Sequence, residues 1–394
     1  MFTGSAARAI CALSLAVGCA SALAQAGSDE ESARRDAASV KEGLALLLRR
    51  QESLAEPKAE PCEWPYEGVY RVRGEEGMEI PLGYRVGGTA LIATTLLGIP
   101  GYAEDAPRRA AVERALVFVL ETLPDARLAA GFRRGYDVRG WGHACALELL
   151  VELRRTQLAP EFLRPAIEDA TKKLIALLEE GEIETLGGWN YSRRGEQPEP
   201  STFMTATTLQ ALFAARAQGF AVDEKVVVRA LNALASGRFE NGAFQYGVDP
   251  EHRTGKGFEA PEGSAGRSCA CEATLFLAGR SNAEKLRAAI DAFFAHWEWL
   301  EKRRKQTDTH VPPFQIAPYY FFYAHHYAAQ AIELLPEAER AERRARLRER
   351  IYQVRESSGG WNDRVFERSE SYGTAMVLRA LLAPTAVQSA RWAK

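Results

Sequence analysis

The chain has 394 residues, of which 46% are hydrophobic and 26% are charged. This composition is typical of a globular protein with ample apolar material for a core. Lys and Arg number 50 against 52 Asp and Glu, so the charge gives no reason to expect nucleic acid or an acidic membrane surface as a partner.

Residues 1–26 have the pattern of a cleaved secretory signal peptide. Arg8 is followed by the apolar run AICALSLAVGCASALAQA, and small residues occupy the candidate cleavage positions Ala22, Ala24 and Ala26. The run is short and alanine-rich for a membrane span. We therefore expect export to the periplasm or the extracellular space, with no integral membrane segment after cleavage.

Four cysteines remain once the signal is removed, which is too few for a disulfide scaffold in a chain of this length. They are Cys62, Cys145, Cys269 and Cys271. One disulfide bond among these four cysteines remains possible, and the sequence does not indicate which two would pair. Cys19 lies within the signal, where lipid attachment is a minor alternative because Ala16 stands where lipoprotein signals usually have Leu.

Six segments share one pattern, in which a loop rich in Gly or aromatic residues leads into a helical stretch dense in small residues. Their starts are about 50 to 65 residues apart, as expected for a repeated supersecondary unit. The segments are LGYRVGGTALIATTLLG, RGWGHACALELLVEL, STFMTATTLQALFAAR, AGRSCACEATLFLAG, APYYFFYAHHYAAQAIELL and ESYGTAMVLRALLA.

Six more polar helices alternate with these segments. APRRAAVERALVFVLETL is typical, because its apolar residues recur at three- and four-residue spacing. The small-residue helices have no polar face and must be buried on every side. About twelve helices in two concentric rings, an all-α α6/α6 toroid, satisfy both patterns. An open superhelical solenoid is the alternative, but six pairs suit a closed ring.

The predicted toroid spans residues 35–385. It follows a flexible lead-in at residues 27–34 and precedes a C-terminal tail at residues 386–394. Trp189 and Trp361 each follow a Gly-Gly pair in the loop before an inner helix. Gly permits a positive φ there, and the indole can pack beneath the neighbouring helix pair.

The repeats resemble those of the squalene/terpene cyclase and protein prenyltransferase β-subunit superfamily. The matching copies begin GGWNYSRRGEQPEPSTFMTATTLQAL, NGAFQYGVDPEH and GGWNDRVFERSESYGTAMVLRALL, and the resemblance covers residues 80–385. It implies the toroid fold and a small apolar or isoprenoid-like ligand in a central cavity.

The catalytic motifs of that superfamily are missing. The chain contains no D-x-D-D acid motif, which class II cyclases use to protonate an alkene. Ser268 and Ala270 stand where an acid would precede the zinc-binding cysteine of the prenyltransferases, and Gly373 stands near the place of their histidine. We therefore expect no metal and no cofactor, and the sequence leaves open whether the protein is an enzyme.

The candidate ligand-binding residues are aromatic or histidine side chains on the inner helices and in the loops that precede them. PYYFFYAHHYAAQ concentrates aromatic residues on two helix faces, which suits either packing between rings or a cavity lining. The candidates are His143, Trp189, Tyr319, Tyr323, His326, Trp361 and Tyr372.

Two other functions remain open. Loop acids that meet at the ring mouth would permit glycoside chemistry and a secreted glycan-active enzyme. The candidate acids are Asp137, Asp249, Glu251, Glu262, Asp363 and Glu370. A non-catalytic interaction scaffold is the third reading. A deep aromatic cavity supports the apolar ligand, an open groove with two carboxyl groups supports the glycan enzyme, and a filled centre supports the scaffold.

Overall fold

The computed structural model describes residues 30–54, 60–74, 77–131, 138–190 and 199–392. The predicted signal peptide lies outside these residues. The chain divides after Glu42 into two units. The described residues of the first unit, 30–42, are helical, and this helix includes residues 30–34 of the predicted lead-in. The second unit, from Gly43 onward, holds the remaining helices.

Helices dominate the described residues. Helix α1 comprises residues 30–49, and the others are α2 Leu82–Gly98, α3 Ala106–Thr122, α4 Arg139–Thr156, α5 Arg164–Gly181, α6 Thr202–Ala217, α7 Glu224–Ser236, α8 Pro261–Ser264, α9 Ser268–Leu277, α10 Ala283–Arg303, α11 Tyr320–Glu333, α12 Arg340–Gln353 and α13 Ser369–Leu382. The described sheet is one antiparallel pair, β1 Val72–Arg73 and β2 Met78–Glu79.

The six small-residue helices form a closed inner ring. In chain order these are α2, α4, α6, α9, α11 and α13; each packs against the next, and α13 returns to α2. Nearly every residue of α2 and α13 is buried. Because the first and last inner helices touch, the ring is closed and the open solenoid is excluded. The predicted α6/α6 toroid is confirmed.

The outer helices bury one face. Helix α12 buries only Leu347 and Ile351 of its fourteen residues, as its arginine-rich sequence requires. Pairs α2–α3, α4–α5, α6–α7, α9–α10 and α11–α12 pack inner against outer helix. The polar-faced and apolar helices of the sequence therefore occupy the outer and inner rings as predicted.

Tryptophans from the connecting loops join the two rings. The Trp361 Nε1–H donates to the Ile351 carbonyl of α12 at 2.9 Å, and its backbone N–H donates to the Thr374 hydroxyl of α13 at 3.0 Å. Trp189 makes the same two bonds, to Leu178 and to Thr205, at 2.7 and 3.0 Å. Each tryptophan thus fastens an outer helix to an inner one.

A third loop tryptophan makes the same two hydrogen bonds, although no Gly-Gly pair precedes it. Trp64 donates from Nε1 to the Leu47 carbonyl at 2.7 Å and from its backbone to the Thr89 hydroxyl at 2.9 Å. The Gly-Gly pair supplies turns of positive φ where it does occur, with φ of 84° at both Gly187 and Gly188. The repeated loop sequence therefore marks the places where a tryptophan joins the outer ring to the inner ring.

The C-terminal tail packs at the C-terminal ends of the inner helices. The Trp392 backbone N–H donates to the Leu277 carbonyl at the end of α9 at 3.1 Å. Gln330 of α11 donates to the Ser389 hydroxyl at 2.7 Å, and the Arg216 guanidinium lies 4.0 Å from the centre of the Trp392 ring. The tail thereby covers part of this end of the ring.

None of the described helices is both long enough and apolar enough to span a membrane.

Candidate functional site

A cavity opens at the N-terminal ends of the inner helices. Its lining is mainly aromatic, with about 430 Å³ of space between the atoms, including solvent at its mouth. Six of the lining residues are Tyr66, Tyr84, Trp141, Phe203, Tyr319 and Tyr372. Each lies in the loop before an inner helix or in that helix's first turn. Because the ring brings these ends together, residues distant in sequence share one cavity.

The aromatic residues form two clusters of ring contacts, and both clusters line the same cavity. Tyr66 contacts Tyr84 and Tyr372 edge to face, with ring centres 5.2 and 4.8 Å apart. Phe203 contacts Tyr319 in the same manner at 5.7 Å. Edge-to-face contacts of this kind hold rings in fixed orientations. The walls of the cavity are therefore built before any ligand arrives.

A buried carboxyl group lies behind Tyr66. Asp363 is 0% exposed, and its Oδ2 accepts a long hydrogen bond of 3.5 Å from the Tyr66 hydroxyl. Its Oδ1 has no hydrogen-bond partner among the described residues. Burial raises the pKa of Asp363 to about 7, against the opposing effect of the Arg364 charge. At neutral pH the protonated and ionised forms of this group are therefore both populated.

A buried guanidinium accompanies this carboxyl group. Arg364 is 0% exposed, and its Nε donates to the Tyr66 hydroxyl at 3.3 Å. Its central carbon lies 5.7 Å from the centre of the Tyr319 ring. Neither Nη1 nor Nη2 has a hydrogen-bond partner within the described residues. A fixed positive charge with two unused donor groups thus lies directly behind the aromatic wall.

The Asp363 carboxyl predicts a specific pH dependence of stability. Its pKa is about 7 in the folded chain and about 3.9 in an unfolded one. The folded chain therefore holds more protons between about pH 4 and pH 7, and the free energy of unfolding falls as pH rises through that window. We expect wild type to lose roughly 2–4 kcal/mol more than Asp363→Asn between pH 4.5 and pH 8.

Urea denaturation at a series of pH values measures both slopes. Each slope is the change of the free energy of unfolding with pH. Removing the carboxylate from beside Arg364 also changes stability by an amount that does not depend on pH, and comparing slopes removes this constant. Equal slopes for the two proteins would show that Asp363 is ionised across the range and that its burial has no effect on its proton.

Three of the seven predicted site residues lie at the cavity or next to it. Tyr319 and Tyr372 line the cavity. Tyr323 lies one turn deeper, with its ring 4.3 Å from Phe203 and its hydroxyl 3.2 Å from that of Thr207. These three aromatic residues lie at or next to the cavity, and their role in ligand binding stays a prediction.

The two predicted histidines lie deeper in the fold. His326 is half-buried beyond Tyr323, and burial together with the Arg379 charge lowers its pKa well below the usual value. His143 is 2% exposed, and burial lowers its pKa to about 4. Both imidazoles are therefore neutral at pH 7. Neither belongs to the cavity lining.

Trp189 and Trp361 lie between the rings and not at the cavity. They are 2% and 0% exposed, and their indole N–H groups are bonded to outer-helix carbonyls. A ligand in the cavity has no access to either indole. The packing interpretation accounts for every contact that the structure gives them.

The loop acids do not converge in the described residues. Asp249 bonds to the His252 ring at 2.7 Å, and Glu370 pairs with Arg50 at 2.9 Å. Asp137 lies outside the described residues. Asp363 is the loop acid that the structure places beside the cavity, behind the hydroxyl of Tyr66. No Asp or Glu is among the described residues that line the cavity, so the two carboxyl groups that glycoside chemistry needs are not both placed there.

The cysteines of α9 are buried thiols. Cys269 and Cys271 are free and nearly inaccessible, and burial raises the pKa of both, that of Cys271 to about 12. Thiolates, the form that binds zinc, are disfavoured there. Among the described residues, no group of three or more His, Cys, Asp or Glu side chains could hold a metal ion.

Sequence reasoning missed five residues of this site. They are Tyr66, Tyr84, Trp141, Phe203 and Arg364. A signal for three of them was present, because Tyr84, Trp141 and Phe203 each lie in the first turn of a predicted inner helix. Nothing comparable marks Tyr66 or Arg364, which lie in loops.

Comparisons with known proteins agree on architecture. No protein-family model and no curated protein sequence matches the chain. A D-mannose isomerase structure aligns with a TM-score of 0.52 at 12% identity, covering 89% of this chain and 97% of that one. The Lin0763 protein from Listeria innocua aligns with the same TM-score, identity and coverage.

A terpene cyclase shares the fold as well. A variant of the type II terpene cyclase MstE from Scytonema, in complex with its product merosterolic acid A, aligns with a TM-score of 0.50 at 14% identity, covering 90% of this chain and 99% of that one. At these identities the likeness establishes the fold alone. The chain is an α/α toroid, an architecture that it shares with this terpene cyclase and this sugar isomerase.

Proposed function

We propose that the protein binds a small apolar, isoprenoid-like molecule in the aromatic cavity, and that it does so after export from the cytoplasm. The observation that carries the binding proposal is the lining, in which six aromatic side chains surround one space at the ring centre. Pockets for small molecules are typically concave and lined mainly by hydrophobic and aromatic side chains. The N-terminal signal pattern supports export.

Two features favour an apolar ligand over a sugar. The aromatic faces present carbon atoms to the cavity, whereas a sugar ring needs hydrogen-bond partners for its hydroxyl groups. The described loop acids Asp249 and Glu370 are bonded elsewhere. The terpene cyclase of the same fold is known in complex with its product, merosterolic acid A, which is a precedent for a small molecule bound by such a toroid. Binding, and not catalysis, is what we propose.

Titration calorimetry with geraniol tests this function. We expect saturable binding in wild type and about five- to tenfold weaker binding in Tyr319→Ala, because the variant loses one aromatic wall of the cavity. The matched control is Phe162→Ala, which removes an aromatic ring that is 68% exposed. This control should bind geraniol as wild type does.

Mannose serves as the opposing ligand in the same experiment. Binding of mannose without binding of geraniol would contradict the proposal and favour the glycan alternative. Equal loss of geraniol binding in Tyr319→Ala and Phe162→Ala would show that binding, if present, does not use the cavity.

A further inference from the structure

We propose that the ligand of the aromatic cavity carries a carboxylate, and that Arg364 receives it. The inference rests on the proposed function, since it assigns a polar group to the apolar molecule already placed there. Its starting point is a buried cation whose donor groups are unused.

The guanidinium of Arg364 is fully buried and cannot lose its charge. Arginine stays protonated in proteins, and burying an unpaired charge is costly. Nη1 and Nη2 nevertheless lack hydrogen-bond partners among the described residues. The Nε–H is satisfied by the Tyr66 hydroxyl at 3.3 Å. Four N–H groups therefore remain for an anion.

The neighbouring charges do not supply the missing anion. Asp363 precedes Arg364 in sequence and its charge attracts the guanidinium, but no hydrogen bond joins the two side chains among the described residues, and burial raises the Asp363 pKa to about 7. Arg267 and Arg303 also act on this region, since together with Arg364 they contribute to the lowered pKa of His310. The surroundings of Arg364 are thus short of negative charge.

Arg267 shows what a satisfied buried arginine looks like in this chain. It is also 0% exposed, but its guanidinium donates to four backbone carbonyls, those of Phe244, Gln245, Phe258 and Gly263. That arginine has a structural role. The two arginines differ in their partners and not in their burial, so Arg364 is the one with capacity for a ligand.

Two residues of the cavity wall contact Arg364. Tyr66 and Tyr319 both line the cavity, and both contact the guanidinium, one by the 3.3 Å hydrogen bond and the other across its ring face. Arg364 is itself 0% exposed and does not line the cavity, so a ligand reaches its free Nη atoms by displacing one of these two rings. The planar guanidinium can hold a carboxylate through two parallel hydrogen bonds.

The positions of the helix ends also favour a carboxylate at this site. Arg364 lies a few residues before α13, and the cavity is surrounded by the N-terminal ends of several inner helices. These ends carry partial positive charge and favour anions. The apolar part of the ligand would then lie against the aromatic walls, with its carboxylate directed towards Arg364.

Geranic acid and geraniol form a matched pair of probes, because they share one ten-carbon chain and differ in the carboxyl group. Titration calorimetry at pH 7.5 should show wild type binding geranate at least about tenfold more tightly than geraniol. Arg364→Gln should remove this difference while changing geraniol affinity less than about twofold. Arg155→Gln, at the opposite end of α4, is the control and should retain the difference.

Asp363→Asn provides a second variant with the opposite expectation. It removes the nearby negative charge, which attracts the guanidinium from a distance and repels an incoming carboxylate, so geranate affinity at pH 7.5 should rise, and geraniol affinity should stay constant. If Arg364→Gln does not fold, the wild-type pair and Asp363→Asn decide the question. A missing rise in Asp363→Asn would then overturn the inference.

The remaining outcomes separate this inference from the proposed function. Geraniol binding with no tighter geranate binding would overturn the carboxylate assignment and leave the apolar cavity intact. A geranate preference that survives in Arg364→Gln would show that another group receives the anion. Failure of both probes to bind would contradict the proposed function itself.

Discussion

Replacing Trp361 with alanine should lower the free energy of unfolding by about 3–5 kcal/mol, the typical cost of truncating a buried tryptophan. The indole is 0% exposed, and its Nε1–H donates to the Ile351 carbonyl at 2.9 Å. The substitution leaves a cavity between the rings and removes this bond between α12 and its loop. Urea denaturation monitored by circular dichroism measures the loss.

The matched control is Trp299→Ala. Trp299 is half-buried and packs against Phe314 and Lys302 at the surface of α10, so its removal should cost much less. Thr374→Val tests the second bond of Trp361, because it leaves the buried Trp361 N–H without its acceptor at a cost of about 1–3 kcal/mol. Similar losses for Trp361→Ala and Trp299→Ala would refute the idea that the loop tryptophans fasten the rings.

The loop tryptophans also help to explain why the fold could be predicted from sequence. GGW marks two loops, and small-residue helices follow at a regular interval, so the count of six inner helices came from the chain alone. The predicted segment STFMTATTLQALFAAR agrees with α6, Thr202–Ala217, within one residue at each end. Periodicity and burial are local properties of a helix, and the sequence displays them directly.

Trp64 is a copy of this contact that the sequence pattern did not identify. It makes the same two bonds as Trp189 and Trp361, but it stands in CEWPYEG and has no glycine pair before it. The bonds depend on the indole and on the hydroxyl of Thr89, and neither requires glycine in the loop. A search for the glycines therefore misses this copy, whereas a search for tryptophan before an inner-helix threonine would include it.

The site could be predicted only in part, because ring closure creates it. Tyr66 and Arg364 are 298 positions apart in sequence and 3.3 Å apart in the structure. Nothing in either loop indicates the other. Tyr319 and Tyr372 were found because aromatic residues near inner-helix starts are visible locally. Asp363 was one of six candidate acids, and burial beside Tyr66, which distinguishes it from the others, is a property of the tertiary fold.

Replacing Gly373 with alanine should destabilise the protein by roughly 1–3 kcal/mol, the usual range for overpacking a core. A Cβ at this position of α13 would lie 2.4 Å from the Trp361 carbonyl oxygen and 2.9 Å from the Phe322 ring. The first of these neighbours is backbone, so relief requires the loop that carries Trp361 to move. Chemical denaturation of Gly373→Ala measures the cost.

Gly98→Ala makes the identical chemical change at the end of α2, where a Cβ would meet no atom within 4 Å. Alanine is the better helix former by up to about 1 kcal/mol, so this control should be neutral or more stable than wild type. Opposite signs for the two substitutions would establish close packing as the reason for Gly373. Stabilisation by both substitutions would instead assign both effects to helix propensity, and destabilisation by both would contradict the idea that close packing sets Gly373 apart.

The result at Gly373 also bears on function. This glycine stands near the place where the prenyltransferases carry a zinc-binding histidine, and the contacts that exclude a methyl group exclude an imidazole with greater force. The loop of Trp361 occupies the space that such a ligand would need, and the same loop carries Asp363 and Arg364 to the cavity wall two and three residues later. One loop therefore both packs against Gly373 and carries the carboxyl group and the guanidinium that contact Tyr66.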